Sequence, residues 1–423
     1  MPTASARRFV LVTGGSLGDV LPYIGLASHL RSLGEDVLLV AGPQLALLAR
    51  GERIPFQALE SAPGDGADSG FDESGGWRAF LRLTDTWVLG SLGSTIAQLD
   101  ETIRPDDVVV AHPIQIAAAL VAQSRGVPWF TVSPAAWLFP NAERMPLYQP
   151  FKTLGPALNR LAWRDFGRRL DSRFLGRIRS ACEAAGIAGP TGSFLDLCCS
   201  PGRALVLSSP LLLDSRRLPA HVTVTGFAHW DVTRLWRNRS GLERYLDEGD
   251  DVLAFRAPPH QSTPGFQEAA AAVCRSLGVR GVYIDFRAER SGVDGPLFVD
   301  RYIPLSVLAP RSLAGVHYGG LGTSTVFAAN GRPAVIMPST VDQFENADVL
   351  AALGAGVRLD WRRWTPARLL SCVERAVEQR DASRSLGAQL TRERGFDVAT
   401  SVLRAEGRPD DRARPEGSRA HAG

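Results

Sequence analysis

The chain has 423 residues, 45% of them apolar and 22% charged, with a formal net charge of +3. That length exceeds one ordinary domain and fits two of about 200 residues each. So small a charge gives no electrostatic footing for nucleic acid, and no apolar run reaches the roughly 20 residues that span a bilayer.

"RRFVLVTGG" predicts a buried strand over residues 9–12, ending in glycines. "DVLPYIGLASHLRSLGEDV" predicts a helix, with Leu21, Ile24, Leu26, Leu30 and Leu33 as its apolar stripe. Pro22 suits a first turn and Gly34 a position just past the end. "DVLLVAG" (36–42) is the next strand, so the unit reads as β-α-β with a parallel, right-handed crossover. The rhythm returns at "DDVVVAHP", "IQIAAALVAQSRG" and "VPWFTVSP", which predicts a doubly wound α/β domain.

Residues 63–75, rich in Gly, Asp and Ser, read as a mobile loop. Residues 136–160 mix proline with Trp137, Phe139 and Tyr148. Two readings stand for these aromatics, core packing or the walls of an apolar ligand site. "RALVLSSP" reads as the last strand of the first half, and "VTVTGFAHWDVTRLWRNRSG" as a linker. "DDVLAFRAPP" opens a second α/β run through "GVYIDF", "PLFVDRYIP", "LAGVHYGG" and "PAVIMPS", with a last helical pattern around 380–404. The expected fold class is therefore α/β, with two Rossmann-like doubly wound domains facing a central cleft. The divisions are 1–230, 231–405 and a charged, Pro- and Gly-rich tail at 406–423 expected to be disordered. The last helix is a candidate to cross back to the first domain.

The five cysteines form no CxxC pair or Cys/His cluster with zinc spacing, and Cys198 and Cys199 are adjacent. No metal is expected. "MPTASARR" leads straight into a strand-like run, with no apolar leader. A reducing cytoplasm is the expected setting. Lys152 is the only lysine, so a cationic phosphate contact falls to arginine.

The chemistry concentrates in "VHYGGLGTSTVFAANGRPAVIMPSTVDQFENA". A strand end carries His317. A turn with Gly319, Gly320 and Gly322 enters a helix whose first N–H groups and dipole favour an anion, and Thr323 and Ser324 add hydroxyls. At the next strand end, Asp342 accepts and Gln343 both accepts and donates, which suits vicinal sugar hydroxyls. Phosphate binder and hydroxyl reader side by side describe a nucleotide-sugar site. No GxxxxGK[ST] loop is present, and the first loop is "GGSLGD" rather than GxGxxG, which disfavours ATP hydrolysis and dinucleotide redox chemistry.

The pattern H-x-G-G-x-G-T…G-x-P…P…D-Q-x-x-N-A resembles the donor signature of GT-B glycosyltransferases of family 1, above all the bacterial macrolide and antibiotic enzymes and the sterol glucosyltransferases. "GGSLGDVLPYIGLASHLRSLGEDV" is similar to their N-terminal motif, with Glu35 where a histidine is usual. The resemblance runs over residues 8–404. It implies inverting, metal-independent transfer of a hexose or deoxyhexose from a UDP- or dTDP-sugar to a hydroxyl of a large apolar acceptor. The sugar nucleotide would be a co-substrate, with no other cofactor, and the protein a monomer or homodimer.

The resemblance places the family's base position at Asp19 and a partner at His112. Each also has a plain structural role open to it, a helix cap and a strand-end histidine. Arg256 stands where a small Gly-Ser or Gly-Thr turn would touch the diphosphate, and either replaces those contacts or folds away. Tyr302 stands where a tryptophan would stack on the base, and Leu305 where glutamine is common. Trp87, with Trp137, Phe139 and Tyr148, is the expected acceptor wall, and Trp77 and Phe80 add to it. These donor-side departures keep an alternative open, a GT-B-fold binding or helper protein with altered or lost donor use. Epimerase and phosphorylase signatures are absent.

Overall fold

Runs such as Val10–Leu11–Val12 and Val108–Val109–Val110 are apolar at consecutive positions because both faces of their sheet are covered. Val10, Val12 and Val109 pack into one core, while Phe9, Leu11, Val108 and Val110 pack into another on the opposite face. In this computed structural model, residues 7–59, 76–148, 152–213, 215–233, 236, 239–249, 251–256, 265–339 and 341–406 are described.

The first half comprises β1 (Arg8–Val12), α1 (Leu17–Ser32), β2 (Asp36–Ala41), α2 (Ala46–Gly51), β3 (Phe56–Ala58), α3 (Gly76–Leu83), α4 (Leu92–Thr102), β4 (Val108–Ala111), α5 (Ile116–Arg125), β5 (Trp129–Ser133), α6 (Pro156–Ala184), α7 (Phe194–Cys198), β6 (Ala204–Val206) and β7 (Val222–Val224). Its seven strands pair in parallel in the order β3-β2-β1-β4-β5-β6-β7. The strand order reverses between β1 and β4, so the loops leaving those two strands part and open a crevice between them.

The second half comprises α8 (Arg239–Asp247), β8 (Val252–Arg256), α9 (Phe266–Leu277), β9 (Gly281–Ile284), β10 (Gly292–Asp294), β11 (Leu297–Asp300), α10 (Leu305–Leu308), β12 (Ser312–His317), α11 (Leu321–Ala329), β13 (Ala334–Ile336), α12 (Val341–Ala352), β14 (Gly356–Arg358), α13 (Pro366–Glu378), α14 (Arg380–Leu390) and α15 (Gly395–Glu406). The sheet order is β10-β11-β9-β8-β12-β13-β14, parallel except for the β10–β11 hairpin. Here the reversal falls between β8 and β12. Among the described residues no helix is long and apolar enough to cross a membrane.

α15 packs back on the first half. Ala399 and Leu403 are fully buried in the core that holds Phe9, Tyr23, Ile24 and Leu26. The approach is close, since a Cβ at Gly25 would lie 2.5 Å from Phe396 and 2.7 Å from Trp230.

Several local expectations need correction. α1 starts at Leu17, two residues before the expected Asp19, because Ser16 and Asp19 form a capping box. Pro22 therefore lies in the second turn, where it removes one helical hydrogen bond. "RALVLSSP" is not the last strand of its sheet, since "VTV" of the expected linker pairs in parallel with β6. Its threonine breaks the apolar run that marks the equally short β6 and β13. β10 and β14, Gly-Val-Asp and Gly-Val-Arg, are missed for the same reason. The last helical pattern is two helices, α14 and α15, separated at residues 391–394. The loop expected at 63–75 and the tail from 407 lie outside the described residues.

Candidate active site

The residues singled out from sequence lie at both reversals of strand order. At the first, Asp19 stands in the opening turn of α1, and His112 follows β4 directly, its N–H donating to Val12 O at 2.9 Å. Asp19 Oδ2 accepts from Ser16 N at 2.9 Å and Ser16 Oγ at 2.8 Å. Asp19 Oδ1 faces His112 Nε2 at 3.5 Å. His112 Nδ1 accepts from Ile114 N at 3.4 Å, so the proton of the neutral ring belongs on Nε2, toward the carboxylate. The histidine side chain is 4% exposed and the aspartate 34%, which puts the acid in front and the imidazole behind it. Burial pushes the Asp19 carboxyl up, but hydrogen bonds from His112 and Ser16 outweigh it and hold the carboxyl below its ordinary value. Tyr23 packs edge-on against His112 with ring centroids 5.9 Å apart, and its hydroxyl donates to Val132 O at 2.5 Å.

Beside this pair, Gly14, Gly15, Gly42, Gln44, Trp87, Ile114 and Gln115 enclose a small cavity. Trp87 thus lies against the glycine loop that carries Asp19. The other expected acceptor aromatics part company. Phe139 is fully buried among Leu138, Leu147 and Trp163 and presents no face to a ligand. A turn in which Phe139 N donates to Ala136 O points its ring inward. Trp77, Phe80 and Trp137 form an aromatic cluster with Phe166, with Trp77 and Trp137 only partly buried. The Tyr148 side chain lies outside the described residues.

At the second reversal, β12 ends on His317 and α11 begins at Leu321 after the glycine turn. His317 is 2% exposed and stacks on Phe327. Its Nδ1 accepts from Gly319 N at 3.0 Å, so its Nε2 carries the proton. Burial, with the nearby charge of Arg256, lowers its pKa to about 3 and keeps the ring neutral. Gly319 adopts φ +93°, and a Cβ there would lie 2.7 Å from Ile336 Cγ2 and 3.2 Å from Gln343 O. Glycine is required by both conformation and space.

Arg256 ends β8, and its Nη1 donates to Thr323 Oγ1 at 2.6 Å. The guanidinium lies 5.4 Å from the Tyr318 ring centre and 5.7 Å from that of Phe286. A cation held at a helix N-terminus opposes the helix dipole, so the arrangement favours an anion between them. Three buried polar atoms lack a hydrogen-bond partner among the described residues here, Arg256 Nε, His317 Nε2 and Ser324 Oγ. The residues after Arg256, including Pro258 and Pro259, lie outside the described residues.

α12 brings Asp342 and Gln343 to this turn in its first turn of helix. Gln343 Oε1 accepts from Ser339 N at 3.0 Å, and Asn346 Nδ2 donates to Gly319 O at 2.9 Å. Tyr302 follows β11 and lies against the linker at Asp231 and Val232. Burial and the Asp231 charge push its hydroxyl up to about 12. Leu305 opens α10 and packs on the Leu308 core. Gly320 caps α11 and Gly322 has open space where a Cβ would stand. Among the described residues no group of three or more His, Cys, Asp or Glu is placed to hold a metal ion.

Ser16, Tyr318 and Phe286 were not singled out from sequence. Only Ser16 had a legible signal, the Ser-x-x-Asp spacing of a capping box.

Residues 288–397 match the family described as erythromycin biosynthesis protein CIII-like, C-terminal domain. The chain is 27% identical over 422 residues to O-mycaminosyltylonolide 6-deoxyallosyltransferase of Streptomyces fradiae, covering 94% of this chain and 96% of that one. The crystal structure of the kitacinnamycin glycosyltransferase superposes with a TM-score of 0.72 at 20% identity, covering 96% and 100% of the two chains. That of VinC in complex with dTDP gives 0.63 at 15% identity, covering 95% and 99%.

Two doubly wound sheets, each with one reversal, form the GT-B fold, and the relatives mark the chain as a glycosyltransferase. Within that class it is similar to the family 1 enzymes, the bacterial macrolide and antibiotic glycosyltransferases among them.

Proposed function

We propose that the chain transfers a hexose or deoxyhexose from a UDP- or dTDP-sugar to a hydroxyl of a large apolar natural-product acceptor, with inversion and without a metal. The observation that carries this reading is the pairing of a forward carboxylate, backed by His112, with an anion-favouring turn at the second reversal.

In this mechanism Asp19 takes the proton of the acceptor hydroxyl while His112 Nε2–H keeps the carboxylate oriented and ionised. The acceptor oxygen bonds to C1 of the sugar as the bond from C1 to the diphosphate oxygen breaks. The N–H groups of the Gly319–Gly320–Gly322 turn, His317 Nε2–H and Arg256 receive the charge of the leaving nucleoside diphosphate. Thr323 stands on that turn and orients Arg256. Asp342 and Gln343 read the sugar hydroxyls, and the Tyr302 ring stacks on the base. Trp87 and the exposed side of Trp137 face the acceptor. Residues 1–230 would hold the acceptor and 231–405 the donor. The relative's action as a 6-deoxyallosyltransferase and the dTDP held by VinC support a deoxyhexose and a dTDP donor.

One observation favours the helper reading. Arg256 donates to Thr323 Oγ1 and so places a bulky side chain beside the hydroxyl whose proton a diphosphate would take. A calorimetric panel of UDP- and dTDP-sugars separates the two. Saturable binding of one donor, followed by turnover with an apolar aglycone, is expected. Binding of none overturns the transferase reading.

A further inference from the structure

The segment between β5 and α6 reaches across to α12. Arg144, only 5% exposed, forms an ion pair with Glu345 of that helix, and its Nη2 donates to Ala136 O at 2.6 Å. Trp163 Nε1 donates to Arg144 O at 3.0 Å, fixing the backbone from which the guanidinium projects. Asn159 Nδ2 donates to Ala142 O at 2.8 Å, and Asn159 Oδ1 accepts from Leu154 N at 2.9 Å. The segment is thus a braced loop, anchored to α6. Its second contact with α12 is Lys152 Nζ, 2.9 Å from Asp348 Oδ2, while Arg358 Nη1 takes Asp348 Oδ1 at 2.8 Å.

α12 is held at its other side by the glycine turn, through Asn346 and Gly319 O. One stiff helix therefore touches the turn at the second reversal and a loop of the first half. Asp342 and Gln343 lie within a single turn of Glu345 on it. Arg144 reaches none of the reacting positions itself. It acts on α12 through an ion pair whose arginine is buried and whose glutamate is partly exposed, and removing the guanidinium removes the tie that holds the helix to the loop.

We propose that Arg144 is a positioning residue. Through Glu345 it sets α12 so that Asp342 and Gln343 meet the donor sugar only when residues 136–148, with Lys152, are in place. That segment also carries Trp137, so occupancy on the acceptor side and registration of the sugar are tied through one helix. The proposal rests on the nucleotide-sugar reading above.

The full chain supplies its own reporter, because Lys152 is the only lysine. Acylation of Lys152 by an amine-reactive ester, read by mass spectrometry of the peptide, reports release of the loop from α12. Calorimetry with dTDP and with a dTDP-sugar reports registration of the sugar apart from the nucleotide. Arg144→Gln is expected to leave the dTDP affinity within about twofold, weaken the dTDP-sugar about tenfold and raise Lys152 acylation several-fold, a coupling within the usual range. Arg144→Lys, which adds a second lysine and is therefore read by calorimetry alone, should restore part of the affinity loss. Glu345→Gln, at a partly exposed position, should reproduce the pattern if Arg144→Gln folds poorly. Equal loss of dTDP and dTDP-sugar affinity overturns the proposal, as does unchanged Lys152 acylation in both neutral variants. If the wild type binds neither nucleotide, the donor reading fails, and the acylation result still decides whether the loop is latched.

Discussion

Asp19 stands in front of His112, with Oδ1 3.5 Å from Nε2. The imidazole is the more deeply buried member, so the carboxylate is the one open to the surface and the imidazole stands behind it. The Ile114 N–H on Nδ1 leaves the ring one arrangement in its neutral form, with its proton aimed at the carboxylate.

Asp19→Asn keeps the size of the side chain and removes its basicity. Turnover should fall by about two orders of magnitude or more, while donor binding measured by calorimetry stays near wild type. Wild-type turnover in this variant would sink the role. Asp19→Ala also strips the capping box from α1, which costs about 0.5–2 kcal/mol of stability.

His112→Ala removes the hydrogen bond that holds the Asp19 carboxyl down and leaves the burial that pushes it up. The carboxyl should rise, and the acidic limb of the pH–kcat profile should move to higher pH. An unchanged profile would count against the pair.

Gly319→Ala forces a side chain into positive φ and sets its Cβ against Ile336 and the Gln343 carbonyl. The conformational part alone costs about 1–2 kcal/mol, and at roughly 2–4 °C per kcal/mol the melting temperature should fall several degrees. Donor affinity should fall with it, because the turn and α12 must separate to admit the methyl. Gly322→Ala, where space is open, serves as the control in thermal denaturation.

His317 is held neutral down to about pH 3, whereas an unfolded histidine protonates near its ordinary value of about 6.5. Between those values the unfolded chain binds the extra proton, so stability falls as pH drops from about 6.5 toward 3. His317→Gln should flatten that part of the curve of melting temperature against pH. Donor binding in the wild type should show no inflection from His317 near neutrality.

Much of the fold was legible because long buried strands and leucine stripes carry their period in sequence, as in β1, β4 and α1. β7, β10 and β14 were not, since Val-Thr-Val, Gly-Val-Asp and Gly-Val-Arg lack the unbroken apolar run that marks the equally short β6 and β13. In the site, the order His317, glycine turn, Asp342, Gln343 was readable because each group follows a strand end. The fate of Phe139 was not, because a local turn decides whether an aromatic ring faces inward. Arg256 could be placed at a strand end, but its seat between Tyr318 and Phe286 depends on which strands become neighbours.

The return of α15 to the first half bears on any attempt to build hybrids. Ala399 and Leu403 complete the core beneath α1, and Phe396 lies against Gly25. An exchange of second halves cut only at the linker would bring in a foreign helix at this seam. A chimera should therefore keep residues 395–406 from the parent that supplies α1, giving two crossover points instead of one.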